Sequence, residues 1–155
     1  MDDQKNIIRG FKSLTLIEII IIVGVIGLLA TLAAVGVNGS QKKVRDNRRI
    51  EDMVMIRSSM QLIYNQTGTF SENTCAEGSK VADCQGAELI QMVNNLQQLR
   101  DPDSKGVSCA DSHEKGCDYA FNTLTTDTYS VLFYLETGTQ GFAEGPHVLT
   151  EQGIQ

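Results

Sequence analysis

The residue of greatest chemical interest is a single carboxylate, Glu18, near the start of an apolar stretch. Residues 14–37 read LTLIEIIIIVGVIGLLATLAAVGV, and residues 19–41 contain no charged side chain. A carboxylate in hydrocarbon costs about 2.5–3.5 kcal/mol at the bilayer centre and less near its edge. Such a group needs a partner, so we expect Glu18 to pair with a cation when the protein functions.

Four cysteines form the second group with chemical potential. Cys75, Cys84, Cys109 and Cys117 all follow the apolar stretch, in segments rich in Gly, Ser, Asn and Asp. In a small domain beyond a membrane segment, this pattern predicts two disulfides. Three connectivities satisfy the sequence, and we favour Cys75–Cys84 and Cys109–Cys117 because each pair brackets one loop-like stretch. A zinc site is the weaker alternative, since no Cys-x-x-Cys pair is present.

Catalytic chemistry has little support in the sequence. His113 and His147 form no metal cluster, and no nucleophile motif or phosphate-binding loop occurs. From residue 41 onward the chain has 10 basic and 16 acidic residues, which argues against a general nucleic-acid surface. The acidic loop 101–106 has ligand types that suit Ca²⁺ without the EF-hand spacing, so we expect no cofactor and regard calcium as a weaker alternative.

The apolar stretch itself is long enough to cross a membrane. About 20 helical residues span about 30 Å of hydrocarbon. In the preceding segment, 1–13, the bases lie nearest the apolar stretch, which keeps the N-terminus cytoplasmic and sends the rest of the chain across. A secretory signal peptide has a shorter apolar core, of about 7–15 residues. A plain signal anchor is a second competing interpretation, but it gives no reason for the carboxylate of Glu18.

Residues 42–66 predict an amphipathic continuation of the same helix, because no Pro or loop cluster interrupts the chain. Gly68 suits the left-handed conformation that ends a helix. The apolar positions that recur at helical spacing are Val44, Ile50, Val54, Met55, Met60, Leu62 and Ile63.

Beyond the helix, residues 67–118 are mostly loop. They include a short predicted helix over 87–100, with Leu89, Ile90, Val93, Leu96 and Leu99 on one face, which ends before Pro102. The last part, 119–155, contains strand patterns at 119–121, 129–135 and 147–150. We therefore predict an α+β fold: a long N-terminal helix packed on a small antiparallel sheet, with a disulfide-closed loop region.

Thr15, Leu16, Ile17 and Glu18, followed by a long apolar helix, resemble the N-terminal signature of type IV pilins and type II secretion pseudopilins. These proteins carry class III signal peptides. The segment YNQTGTF, residues 64–70, is similar to the family's helix exit. The resemblance implies that Glu18 pairs with the N-terminal amine of a neighbouring subunit, and that the first mature residue is methylated.

Two cleavage positions are compatible with the resemblance. Placing Glu18 fifth in the mature chain puts the cut between Ser13 and Leu14, whereas the family's leaders end in Gly. A cut between Gly10 and Phe11 satisfies that rule but makes Glu18 the eighth residue. We favour Ser13/Leu14 because Ser is small and the Glu spacing matters to assembly. The domains are then a cleaved leader, 1–13, an apolar filament-core helix, 14–41, and a globular part, 42–155.

The function implied by the resemblance is that of a structural subunit of a type IV pilus-like extracellular filament, and not that of an enzyme. Its partners are further copies of itself, a prepilin peptidase, and the assembly platform with its ATPase. It resides in the cytoplasmic membrane before assembly. Two alternatives remain: a pseudopilin of a periplasmic pseudopilus, and a membrane-anchored binding domain that never polymerises. The basic cluster Lys42, Lys43, Arg45, Arg48 and Arg49 is either a solvated face or a partner for acidic residues of adjacent subunits.

Overall fold

A computed structural model describes residues 15–71, 74–93 and 95–155, except for the side chains of residues 33–38. Contacts divide the chain into two compact units, Met1–Ser40 and Gln41–Gln155. We call the second unit the head. Helix α1, Leu16–Thr67, contributes its first part to one unit and its last part to the head. The described residues form an α+β fold, as the sequence predicts.

Helix α1 ends at the predicted glycine. Gly68 has φ 78°, a conformation that glycine adopts without steric cost, and its N–H donates to the Tyr64 carbonyl at 2.8 Å. The Thr67 hydroxyl donates to the Ile63 carbonyl at 2.9 Å. The Tyr64 and Phe70 rings stack with centroids 4.5 Å apart, so the chain that leaves the helix folds back against its last turns.

The sheet is antiparallel and its strands are neighbours in sequence order. The strands are β1 Ala120–Leu124, β2 Tyr129–Leu135, β3 Gly145–Thr150 and β4 Gly153–Ile154. Val131 of the central strand β2 pairs with Phe121 on one side and with Leu149 on the other. The prediction of a strand at 129–135 is confirmed. Strand β1 begins one residue later and ends three residues later than the predicted strand at 119–121, and β3 begins two residues earlier than the one at 147–150. Strand β4 is too short to show alternation in the sequence.

The core of the head lies between α1 and one face of the sheet. Its members from α1 are Ile50, Met53, Ile56, Met60 and Ile63, and those from β2 are Tyr129, Val131, Phe133 and Leu135. The helix residues recur every three or four positions and so form one stripe. The prediction placed Val44, Val54, Met55 and Leu62 on this stripe, which is wrong: they are 46–66% exposed. Both stripes have helical spacing, and only the position of the sheet decides which is buried.

Two disulfides are present, joining Cys75 to Cys84 and Cys109 to Cys117. The second lies over the other face of the sheet, where both of its cysteines pack with Ala120 and Leu132 in a separate small apolar cluster. The first closes the loop that contains Ser79, whose carbonyl accepts the Phe121 N–H at the outer edge of β1. Each disulfide therefore fixes a loop that shields the sheet.

The helix predicted at 87–100 is shorter in the structure. Helix α2 covers Ala87–Met92, and a separate 3₁₀ turn covers Leu96–Gln98. Between them Asn95 has φ 62°, a left-handed conformation that Asn tolerates better than most residues. The break keeps Leu89, Val93, Leu96 and Leu99 buried, whereas Ile90, predicted for the same face, is half exposed.

Candidate functional site

Thr15 and Glu18 form a reciprocal capping box at the start of α1. The Thr15 N–H and hydroxyl both donate to Glu18 Oε2, at 2.7 and 2.9 Å, and the Glu18 N–H donates to Thr15 Oγ1 at 3.4 Å. The first N–H groups of a helix have no partner within it, and this motif satisfies two of them. Glu18 thus has a partner in its own chain. The Thr-x-x-Glu spacing is the sequence signal for this role, which our sequence analysis missed.

The hydrogen bonds to the Glu18 carboxylate that come from described residues all use Oε2. Its other oxygen, Oε1, accepts none from that part of the chain. The carboxylate also lies in the first turn of α1, where the helix dipole favours a negative charge. Ser13, Leu14, Gly10 and Phe11, which we proposed for processing, lie outside the described residues.

The first turns of α1 carry a dense set of exposed apolar side chains. Twelve large ones between residues 16 and 32 are 47–76% exposed. A Cβ atom added at Gly24 or Gly27 would meet nothing within 4 Å. Contiguous apolar surface of this kind marks a site of contact with protein or membrane.

In the described residues, no helical segment is both long and apolar enough to span a membrane.

A buried guanidinium, that of Arg49, lies at the centre of an ionic network in the head. It donates to Asp101 through Nε and Nη2, both at 2.7 Å, and to Asp46 through Nη1 at 2.7 Å. The same Nη1 lies 2.9 Å from Glu136 Oε1. All four side chains in these contacts are fully shielded from solvent. Hydrogen bonds and the negative charge of Asp101 outweigh the opposing effect of burial and raise the pKa of Arg49.

Glu136, which directly follows β2, binds two more cations. Arg45 donates to it through Nε and Nη2 at 2.6 and 2.7 Å, and Lys115 Nζ lies 2.8 Å away. The hydrogen bonds from Arg45 are the main cause that holds the pKa of Glu136 well below its usual range; burial opposes them, and Lys115 and Arg49 add to them. The network has three cations and three carboxylates, so its formal charges cancel.

Asp46 connects the network to the backbone after β2. It accepts hydrogen bonds from the N–H groups of Glu136 and Thr137 and from the Thr137 hydroxyl, each at 2.8 Å. Burial alone would raise the pKa of Asp46. These hydrogen bonds and the one from Arg49 together lower it by more than burial raises it, so the net shift is downward. The interactions fix the first head turns of α1 against the end of the central strand.

The network contains residues of both the predicted basic cluster and the predicted acidic loop. Arg45 and Arg49, expected on a solvated face or against neighbouring subunits, pair within their own head. Asp101, the first residue of the acidic loop considered for calcium, has its carboxylate engaged by Arg49 and by the Asp103 N–H. Across the described residues, no three His, Cys, Asp or Glu side chains are arranged so that they could hold a metal ion.

A second buried polar pair joins α1 to the chain before β1. The Tyr119 hydroxyl donates to Asp52 Oδ2 at 2.9 Å, and both residues are buried. Burial raises the pKa of Asp52, against the opposing effects of the Tyr119 hydrogen bond and the charge of Arg48.

The chain matches no protein-family model, no curated protein and no solved structure.

Replacing Arg49 should destabilise the head strongly. In an Arg49→Met variant three carboxylates lose a buried partner, and we expect a loss of about 3–5 kcal/mol in the free energy of unfolding. Chemical denaturation of the full chain in detergent measures it. The matched control is Arg48→Met on the exposed side of the same helix, expected to change stability by at most about 0.5 kcal/mol. Equal effects of the two variants would contradict the central role of Arg49.

The low pKa of Glu136 predicts a specific acid sensitivity. Because its folded-state pKa lies below the unfolded value, Glu136 stabilises the head fully above about pH 4.3, and this contribution is lost as the pH falls toward the folded-state pKa. A Glu136→Gln variant should be less stable at neutral pH and should lose less stability between about pH 5 and pH 2.5. Denaturation curves across this range test it. Parallel stability profiles of variant and wild type would contradict the prediction.

Proposed function

We propose that the chain is a structural subunit of a type IV pilus-like extracellular filament, assembled through the N-terminal part of α1. The observation that carries this proposal is one carboxylate, Glu18, in the first turn of a helix that exposes twelve large apolar side chains between residues 16 and 32. Fully burying one such side chain contributes about 1.5–3 kcal/mol. Together they favour an environment that covers the whole segment.

In this proposal the apolar segment has two successive environments. The bilayer holds it before assembly, and the same segments of other copies cover it in the filament. The predicted span, 14–41, includes Leu14 and the side chains of residues 33–38, which the structure does not describe. A head-to-tail contact that does not close on itself generates a fibre, so one repeated interface suffices.

Glu18 supplies the selective interaction. Removal of the leader, at Ser13/Leu14 or at Gly10/Phe11, creates an α-amino group, and such groups have a reference pKa of about 7.7–8.0 and are mostly cationic at neutral pH. Thr15 donates to Glu18 Oε2, whereas Oε1 accepts no hydrogen bond from the described residues, so a neighbour's amine would bind there. In an apolar core an unpaired charge is strongly disfavoured, so this pairing selects the register of the incoming subunit.

The head is suited to the outside of such a filament. Two disulfides and the Arg49 network fix its loops and its helix to the sheet. On α1 the exposed stripe Val44, Val54, Met55 and Leu62 provides a further apolar surface against which neighbouring copies can pack. The alternatives, a pseudopilin and an anchored binding domain, share this head and differ in what is built from it.

Neutralising Glu18 should abolish assembly and spare the monomer. In a Glu18→Gln variant the neighbour's amine loses its counter-charge, so we expect no filaments in the sheared extracellular fraction and normal recovery in the membrane fraction. Immunoblots of both fractions measure the outcome. Glu51→Gln, an exposed carboxylate of the same helix, is the matched control and should assemble normally. Wild-type filament levels in Glu18→Gln would refute the mechanism.

The mature N-terminus gives an independent test of the proposal. We expect mass spectrometry to find a chain that begins at Leu14, or at Phe11, with a methylated amine. A chain that retains Met1, or one cut near Ala34 as a secretory signal peptide would be, overturns the pilin interpretation. Recovery of the processed chain in sheared extracellular fibres favours a pilus. Recovery only in periplasmic fibres favours a pseudopilus, and recovery only as a membrane monomer favours an anchored binding domain.

A further inference from the structure

Two adjacent lysines at the start of the head have no partner among the described residues. The head is acidic, and five of its ten bases form ion pairs: Arg45, Arg49, Lys80, Arg100 and Lys115. Arg57 donates to the Glu151 carbonyl, and Arg48 lies within electrostatic range of Asp52. The side chains of Lys42, Lys43 and Lys105, by contrast, make no ion pair or hydrogen bond to any part of the chain that the structure describes; Lys105 lies in the loop beside Gly116, and only Lys42 and Lys43 are adjacent. Although acidic residues outnumber basic ones in the head, this pair of charges has no partner among the described residues.

The position of the pair along the helix suggests what binds it. Lys42 and Lys43 follow the last residue of the apolar stretch, Val37, by five and six positions, which corresponds to about 7.5–9 Å of helix. The headgroup layer on each side of a bilayer is about 5–8 Å thick. The four residues between, Asn38 to Gln41, are small or polar and uncharged. Long lysine stems reach the headgroup phosphates from such a position.

We propose that Lys42 and Lys43 bind the phosphate groups of anionic phospholipids on the side of the membrane that carries the head. This rests on the proposed function, in which the apolar segment lies in a bilayer before assembly. An anionic membrane surface increases the binding constant by about fivefold for each lysine that lies near it. The two lysines then hold the unassembled subunit at a fixed depth in the bilayer. They dissociate from the lipid phosphates when the subunit enters a filament.

The reactivity of individual lysines toward an acylating reagent tests this directly. The full chain is reconstituted in vesicles of phosphatidylcholine alone, or of phosphatidylcholine with phosphatidylglycerol, and acylation at each lysine is followed by mass spectrometry. We expect Lys42 and Lys43 to react about fivefold more slowly in the anionic vesicles. About 0.5 M NaCl, which screens surface charge, should remove the difference. A Gln61→Lys variant supplies a reference amine about five turns further along the same helix, and its rate should be equal in both vesicles.

Two results would overturn the proposal and leave the proposed function standing. One is equal reactivity of Lys42 and Lys43 in both kinds of vesicle. The other is slow acylation in both kinds of vesicle, at a rate that falls further as the density of protein in the membrane rises. That result would assign the lysines to an acidic surface of a second copy. Failure of the chain to float with either vesicle would instead refute the membrane-held state, and with it the proposed function.

Discussion

The head depends on the burial of one positive charge. Arg49 is surrounded by carboxylates from three parts of the chain: its own helix, the loop at Asp101, and the residue after the central strand, Glu136. A buried ion pair is weak evidence of net stability, but removing one partner of such a group is strongly destabilising. The network therefore acts mainly as a constraint. It orients the head part of α1 against the sheet, because a bidentate guanidinium–carboxylate pair is directional, whereas the apolar contacts of Ile50 and Met53 are not.

The two parts of α1 are built on opposite principles. In the head, three charged side chains of α1, those of Asp46, Arg49 and Asp52, are buried and hydrogen-bonded, while several apolar ones, such as Val54 and Leu62, face outward. Among the described side chains of the first unit, the large apolar ones of residues 16–32 are exposed, and the Glu18 carboxylate is satisfied by the helix start itself. Neither arrangement is typical of a soluble helix, in which apolar residues form one covered stripe and charges the opposite face. Both are consistent with a helix whose final partners are other copies of the chain.

Local patterns in the sequence predicted much of the fold. Strict alternation identified β2, one glycine identified the end of α1, and short spacing favoured the two disulfides that the structure contains. The Arg49 network was not predictable in this way, because Asp101 is 52 positions away and a basic run normally indicates a solvated face. Likewise, the sequence presented two apolar stripes on α1 with the same period. Choosing between them requires the position of the sheet, which no local pattern contains. The Thr15–Glu18 capping box, by contrast, is recognisable from its Thr-x-x-Glu spacing alone.

In the filament proposed above, the capping box would affect how fast subunits are added. Because Thr15 occupies only one oxygen of the Glu18 carboxylate, an incoming amine can bind the other without first breaking the helix start. The helix keeps its satisfied N–H groups throughout the encounter, so no turn has to unwind and re-form in a medium that lacks water.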